Sequence, residues 1–414
     1  MSRPADPAAA FAGAMAAAPP GPIGLAVSGG GDSMALLALA ADWAAASGRA
    51  LAAVTVDHGL RPESAAEAAM VAHRCAALGI AHDVLRWADR PPRGNLAEAA
   101  REARRALIAA WAARRGLAAV ALAHTLDDQA ETVLMRLARG SGVAGLAAMS
   151  PVSAAGGVVW LRPLLTVRRA ALRALLRARG WSWVEDPSNR DPARDRARAR
   201  AMLRLLPRLG LTPERLAMTA RHMADARLVL DEAARQLAAR AVLWGGHGEA
   251  RLSPAALTGA PRAILGQLLA DLLTAIGGRR HPPRLARIEG LIARLDDPPP
   301  AATLHGCLIR RAGAALIVCR EPARAAPPVP LADGVTWDRR WRILGPAGAG
   351  LSVGALGLPA ARAAGAGPGA EILATTPAIR SGGRLIAAPL LGPSAWRAEP
   401  VIPDARRRRV LTGL

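Results

Sequence analysis

The sequence contains no lysine, no tyrosine and a single phenylalanine, Phe11. Without lysine, the entire basic complement of 54 residues is arginine, set against 32 acidic residues for a net charge of +22. Without tyrosine, the ten tryptophans carry most of the aromatic packing. Cysteine is scarce. Cys75, Cys307 and Cys319 form no CxxC pair, no zinc spacing and no even-numbered framework. That excludes a disulfide scaffold and fits a reducing compartment. No charge-free run of about twenty strongly apolar residues occurs, so no membrane-spanning helix is expected. The N-terminal MSRPADPAAAFAGAMAAAPPG has no Leu, Ile or Val run, which argues against a secretory signal and makes the cytoplasm the expected location.

What is present points to a polyanionic partner. A positive excess of this size suits nucleic acid, whose phosphates dominate affinity. Abundant Ala, Arg, Gly and Pro also indicate G+C-rich coding, which supplies part of the arginine. The length of 414 residues suggests two or three domains, and 52% hydrophobic residues can bury a large core, although much of that figure is alanine.

Strand-like runs at 23–27, 50–56, 80–86 and 118–123 alternate with helical patterns at 34–47, 63–78 and 96–115, and another helix starts near Asp127. This alternation predicts an α/β fold, a Rossmann-like parallel sheet with helices on both faces. A sheet edge is expected at 158–162 and a basic helix at 167–179, followed by an arginine-rich segment at 190–204. From about Leu211 long helices dominate, at 213–243, 254–276 and 283–296, before short strand-like pieces at 303–310 and 314–319. The stretch 321–330 reads as a linker, and 331–414 as a small β-containing module. The expected domains are therefore 20–208, a mainly helical 209–322, and 331–414. No internal repeat is found.

The sharpest chemical signal is Ser28-Gly29-Gly30-Gly31-Asp32-Ser33, between the first strand and its helix. Glycines let the backbone approach an anion, the helix N-terminus presents free N–H groups, and the hydroxyls of Ser28 and Ser33 can add donors. The GK[ST] ending of the common P-loop is missing. In an open parallel sheet, ligands bind beyond the carboxyl ends of the strands. This loop, Asp57-His58 and His124 all fall there. The second signal is His124-Thr125-Leu126-Asp127-Asp128-Gln129-Ala130-Glu131-Thr132. On a helix Asp128 and Glu131 share a face, where they could share a metal or receive an ammonium group. Acidic residues at a helix start also complement its dipole, which accounts for Asp127 and Asp128 and explains Glu131 less well. His58 either approaches adenine or ribose or is a satisfied structural histidine. Cys75 is expected in the core, as are Trp181 and Trp183.

These residues together resemble the tRNA(Ile)-lysidine synthase family, with its pyrophosphatase-type (PP) loop S-G-G-x-D-S. The resemblance is carried in order by SGGGDS, VDHGLR (56–61), HTLDDQAETVLMRLARGSGVAGLAAM (124–149), LRPLL (161–165) and WVEDPSN (183–189), across about residues 23–205. TLHGCLIRR (303–311) and RSGGRLIAAPL (380–390) match more loosely. The resemblance implies an enzyme that splits ATP to AMP and pyrophosphate. It would adenylate the C-2 oxygen of the wobble cytidine in the CAU anticodon of tRNA(Ile), and the ε-amine of free L-lysine would then displace AMP. Ser28, Gly29, Gly30, Gly31, Asp32, Ser33, His58 and His124 would meet ATP, and Asp32 and Asp128 would hold Mg²⁺. Asp32, Asp128, Glu131, Arg196 and Arg200 would be catalytic, with lysine placement and metal binding left undivided between Asp128 and Glu131. Arg194, Arg196, Arg198 and Arg200 would meet tRNA. Ala197 stands where the family pattern has Asn. A homodimer is compatible with the resemblance. Two rival readings are a tRNA thiolase, which would need working cysteines, and a non-catalytic RNA-binding protein on a vestigial nucleotide fold.

Overall fold

The structure is a computed structural model that describes residues 6–57, 59, 64–87, 96–185, 191, 193–295, 301–365, 369–402 and 404–412. The chain divides into two compact units, Met1–Arg227 and Leu228–Leu414.

The first unit runs α1 (Pro7–Met15), β1 (Ile23–Ala26), α2 (Gly31–Ser47), β2 (Leu51–Asp57), α3 (Ser64–Ala77), β3 (Ala81–Arg86), α4 (Leu96–Arg114) and β4 (Ala119–Ala121). It continues with α5 (Leu126–Leu137), α6 (Val143–Leu146), β5 (Val152–Ala155), β6 (Val158–Leu161), α7 (Arg169–Ala178) and α8 (Asp195–Met202). The sheet order is β3-β2-β1-β4-β6-β5, parallel except for β5. β5 joins β6 in a hairpin turned by Gly156 and Gly157, both at positive φ, as such two-residue turns require.

The central strands β1 and β4 are buried on both faces, whereas the edge strands β3 and β5 are not. Ile23, Leu25 and Val27 face one core with Phe11, the buried side of α2, and Leu172 and Leu176 of α7. Ala26, Ala52, Val54 and Val120 face another with Ile108 and Trp111 of α4. Gly24 is required by that second layer, because a Cβ there would lie 2.8 Å from the Trp111 ring. Residues 34–40 of α2 are all buried, an apolar run of Ala, Leu and Met, and Gly48 ends the helix in the left-handed conformation. Chain order departs from sheet order between β1 and β4, because β2 and β3 lie on the far side of β1. That makes the β1/β4 crevice the topological switch point, where such sheets bind ligands.

The second unit contains more strand than its helical sequence pattern suggests. A five-stranded antiparallel sheet takes the order 242–244, 250–252, 315–320, 307–312, 301–304. Helix Arg262–Ile276 supplies Leu265, Leu268, Leu269, Leu272 and Leu273 to the core beneath it. The piece expected at 314–319 is present as Ala315–Arg320, whereas the one expected at 303–310 is divided by a turn at His305-Gly306, both at positive φ, into Ala301–Leu304 and Cys307–Ala312. The strands Val242–Trp244 and Ala250–Leu252 are three residues each, too short to show an alternating period. Four-stranded and three-stranded antiparallel sheets occupy 329–400. They bury Trp337, Trp341 and Ile343. Among the described residues no helix is long and apolar enough to cross a membrane.

Candidate functional site

The Gly-rich segment leaves β1 and enters α2. Gly29 sits at φ +82, a conformation that a side chain would strain. The Ser33 hydroxyl donates to the Gly30 carbonyl at 2.9 Å and accepts from the Ser28 N–H at 3.1 Å. Its single proton is therefore committed to the shape of the loop, while Ser28 is exposed. Gly30 is the N-cap of α2 and brings no side-chain cap, so the first N–H groups of the helix are not capped by its own side chain. The loop is held from outside by Trp181–Val184. The Val184 N–H donates to the Gly29 carbonyl at 3.0 Å, Gly30 bridges to Val184, and the Trp183 ring lies against Gly31. Trp181 and Trp183 pack on the main core, as expected.

Across the crevice, α5 begins at Thr125 with a reciprocal capping box. Asp128 Oδ2 accepts from the Thr125 N–H at 2.8 Å, and Asp128 N–H donates to Thr125 Oγ1 at 3.3 Å. Asp127 points elsewhere. It accepts from the Arg169 backbone N–H at 2.7 Å and from Arg168, so it ties α5 to the start of α7. Gln129 exchanges two hydrogen bonds with the Met149 backbone, and Arg136 reaches the carbonyls of Gly145 and Ala148. Much of the 124–149 motif therefore secures its own loop.

The charges converge on Arg169. Its Nε donates to Asp32 Oδ2 at 2.8 Å, its Nη2 to Asp128 Oδ1 at 3.0 Å and its Nη1 to Glu131 Oε1 at 3.3 Å. Glu131 is only 1% exposed and also receives Arg200 Nε at 2.9 Å, while Arg196 Nε lies 3.1 Å from its other oxygen without aligning as a hydrogen bond. The structure thus brings together Asp32, Asp128, Glu131, Arg196 and Arg200. Arg194, the N-cap of α8, and Arg198, on its other face, are exposed and paired with Asp191 and Asp195 respectively. A four-residue helical spacing puts 196 with 200, while Arg194 precedes the helix. His58 lies outside the described residues.

Burial raises Asp32 above the usual carboxylate range, with Arg169 opposing. Burial also pushes Asp128 upward, but Arg169, Arg196 and the Thr125 N–H together outweigh it and hold this carboxyl low. Burial drives His124 down to about 3 despite Asp128 nearby, so its imidazole is neutral at ordinary pH, with Nδ1 buried and unpartnered. The three cysteines are buried, and burial pushes the Cys75 thiol up to about 11.

Magnesium fits the residues present. Asp32 Oδ1 is buried and has no partner, and Asp32 and Asp128 are hard oxygen donors. Among the described residues no three His, Cys, Asp or Glu side chains could hold a metal unaided. Mg²⁺ commonly takes one or two carboxylates together with substrate phosphates, the arrangement two aspartates and a nucleotide would provide.

Arg169 is the residue that sequence reasoning missed. It was one basic residue among several in 167–179. A signal did exist: it is the first residue of α7, and a cation at a helix N-terminus opposes the dipole unless acids hold it there.

A family model described as a PP-loop domain matches residues 8–209. A protein of Ruegeria pomeroyi named tRNA(Ile)-lysidine synthase is 44% identical over 390 residues, covering 92% of each chain. One of the same name from a Bradyrhizobium species is 44% identical over 327 residues, covering 75% of this chain and 91% of that one. Among solved structures, a U34-tRNA thiolase of Methanococcus maripaludis is 16% identical with a TM-score of 0.45, over 53% of this chain and 77% of that one. Identity at this level along nearly the whole of both chains settles the relationship: the chain belongs to the tRNA(Ile)-lysidine synthase family.

Proposed function

We infer that this protein is an ATP-dependent ligase that modifies tRNA(Ile), joining free lysine to C-2 of the wobble cytidine in its CAU anticodon. The observation that carries the reading is the convergence at the β1/β4 switch point. There Asp32, in the first turn of α2 at its uncapped N-terminus, is tied through Arg169 to Asp128 and Glu131 of α5.

The chemistry proceeds in two displacements. The cytidine O2 attacks the α-phosphorus of ATP, a new O–P bond forms, and pyrophosphate leaves with the electrons of the broken P–O bond. The glycine N–H groups and the α2 dipole stabilise that departing charge. Bound Mg²⁺, held by Asp32 and Asp128, would supply further neutralisation of the phosphates. The ε-amine then attacks C-2, a C–N bond forms, and AMP departs with the former O2. Lysine must shed a proton before attack, and a neighbouring carboxylate favours its placement. Asp128 is 11% exposed and Glu131 only 1%. Asp128 is therefore assigned to the cation side of the site with Asp32, and Glu131 to hold Arg169, Arg196 and Arg200 in place. Arg194 and Arg198 are assigned to tRNA phosphates.

A thiolase reading is disfavoured, because Cys75 is the sole cysteine of the first unit and its buried thiol gives no thiolate at neutral pH. The direct test is incorporation of radiolabelled lysine into unmodified tRNA(Ile) with ATP and Mg²⁺, comparing wild type with Asp32→Ala. Labelling that vanishes in the variant is expected. No labelling by folded wild type would overturn the lysine assignment. ATP–pyrophosphate exchange separates an enzyme from a pure RNA binder, which would show none.

A further inference from the structure

Asp32 and Asp128 share one contacting cation, while Arg173 acts on Asp32 and Arg196 on Asp128 only from farther away. Arg169 pairs with both, and among the described residues no other ion pair reaches either one. Glu131 differs, because it keeps Arg196 and Arg200 as well. The Arg169 side chain is 17% exposed, so its charge is largely removed from water and depends on these carboxylates. Its own helix does not help, because a positive group at the start of α7 faces the positive end of the dipole.

We propose that Arg169 is a tethered stand-in for the divalent cation, holding the gap between Asp32 and Asp128 until nucleotide arrives. The proposal rests on the reading of this crevice as the ATP site. A guanidinium keeps its proton, so the plug cannot be removed by deprotonation and has to move. A divalent ion seeking the same oxygens meets a fixed positive charge, which disfavours binding to the nucleotide-free protein. ATP changes the balance. Its phosphates offer new acceptors for the Arg169 donors, and bidentate pairing with phosphate suits the guanidinium. Release of the carboxylates is then coupled to nucleotide entry, and metal loading follows ATP instead of preceding it. Arg169 is thus a positioning residue with a role in ordering the binding steps.

The experiment is titration of the full chain with Mn²⁺, read by electron paramagnetic resonance in the absence of nucleotide. Wild type is expected to bind weakly. Arg169→Ala is expected to bind tighter by roughly tenfold or more, because the competing charge is gone. Arg169→Lys, which keeps a charge, is expected to stay near wild type. A residue that merely supported the fold would lower metal affinity when removed, so the sign of the change is diagnostic. Equal or weaker binding by Arg169→Ala would overturn the proposal. Should that variant unfold alone, recovery of its thermal transition by added Mn²⁺ supports the plug, and failure of Mn²⁺ to restore it counts against the plug. These outcomes do not depend on lysine incorporation, so failure of the ligase reading would be recognised separately.

Discussion

Replacing Arg198 and Arg200 by alanine, one at a time, separates the two faces of α8. Arg198 is 59% exposed, pairs with Asp195 on the surface and donates to the Ala193 carbonyl at 3.3 Å. Such a pair contributes about 0–1 kcal/mol, so folding should change little. If Arg198 meets one RNA phosphate, its loss should flatten the slope of log affinity against log salt by about 0.7–0.9. Arg200 behaves differently. Its Nε donates to the buried Glu131 carboxylate at 2.9 Å. A hydrogen bond to a charged group is worth about 1.5–3 kcal/mol. The larger cost of wholly breaking a buried pair, about 3–5 kcal/mol, does not apply, because Glu131 keeps Arg169 and Arg196. A loss of about 2 kcal/mol lowers the transition of a unit this size by about 4–8 °C. The assays are filter binding of tRNA across a salt series and thermal unfolding of both variants. Arg198→Ala should alter the slope and spare the transition temperature, whereas Arg200→Ala should do the reverse and abolish lysine incorporation. Equal slopes with equal melting in the two variants would refute the assignment of inner and outer faces.

Three further outcomes are expected. Gly29→Ala places a side chain at φ +82, at a cost of about 1–2 kcal/mol, and ATP–pyrophosphate exchange should collapse while circular dichroism remains native. His124 has its imidazole depressed from 6.5 to about 3, so only the unfolded chain takes up the proton between those values. Its contribution to stability is therefore complete above pH 6.5 and declines as pH falls toward 3, by up to about 1.4 kcal/mol per pH unit. Melting curves of His124→Gln against pH should accordingly be flatter than wild type in that window. In the second unit Asp338 receives Arg320 through Oδ1 at 2.9 Å and Oδ2 at 3.0 Å, and also pairs with Arg340, all deeply buried. Asp338→Ala strands two guanidiniums and should cost about 3–5 kcal/mol, measured as a lower transition of that unit.

The first unit was largely legible in the sequence because its strands are apolar runs closed by recognisable chemistry. Ser28–Ser33 and His124 could be placed at strand ends before any geometry was known. The arginines of 194–200 were legible as a cluster, but which of them turn inward depends on where α8 starts relative to Glu131. Arg169 was hidden by its basic neighbours, because its significance comes from three acids distant in sequence. The Ser33 hydroxyl looked like a phosphate donor, and only the loop conformation shows its proton going to Gly30. In the second unit, strands of three residues carry no period from which to read them.

Arginine alone supplies the side-chain cations of this chain, and under the proposed reaction that composition becomes a matter of chemical selectivity. An adenylated cytidine is an electrophile waiting for an amine. The guanidinium groups of Arg169, Arg196 and Arg200 beside it remain protonated and are poor nucleophiles. The chain holds no ε-amine of its own to intercept the intermediate. The cations that bring phosphate and carboxylate together are therefore bystanders to the bond-forming step, and the amine that reacts is the one delivered from outside.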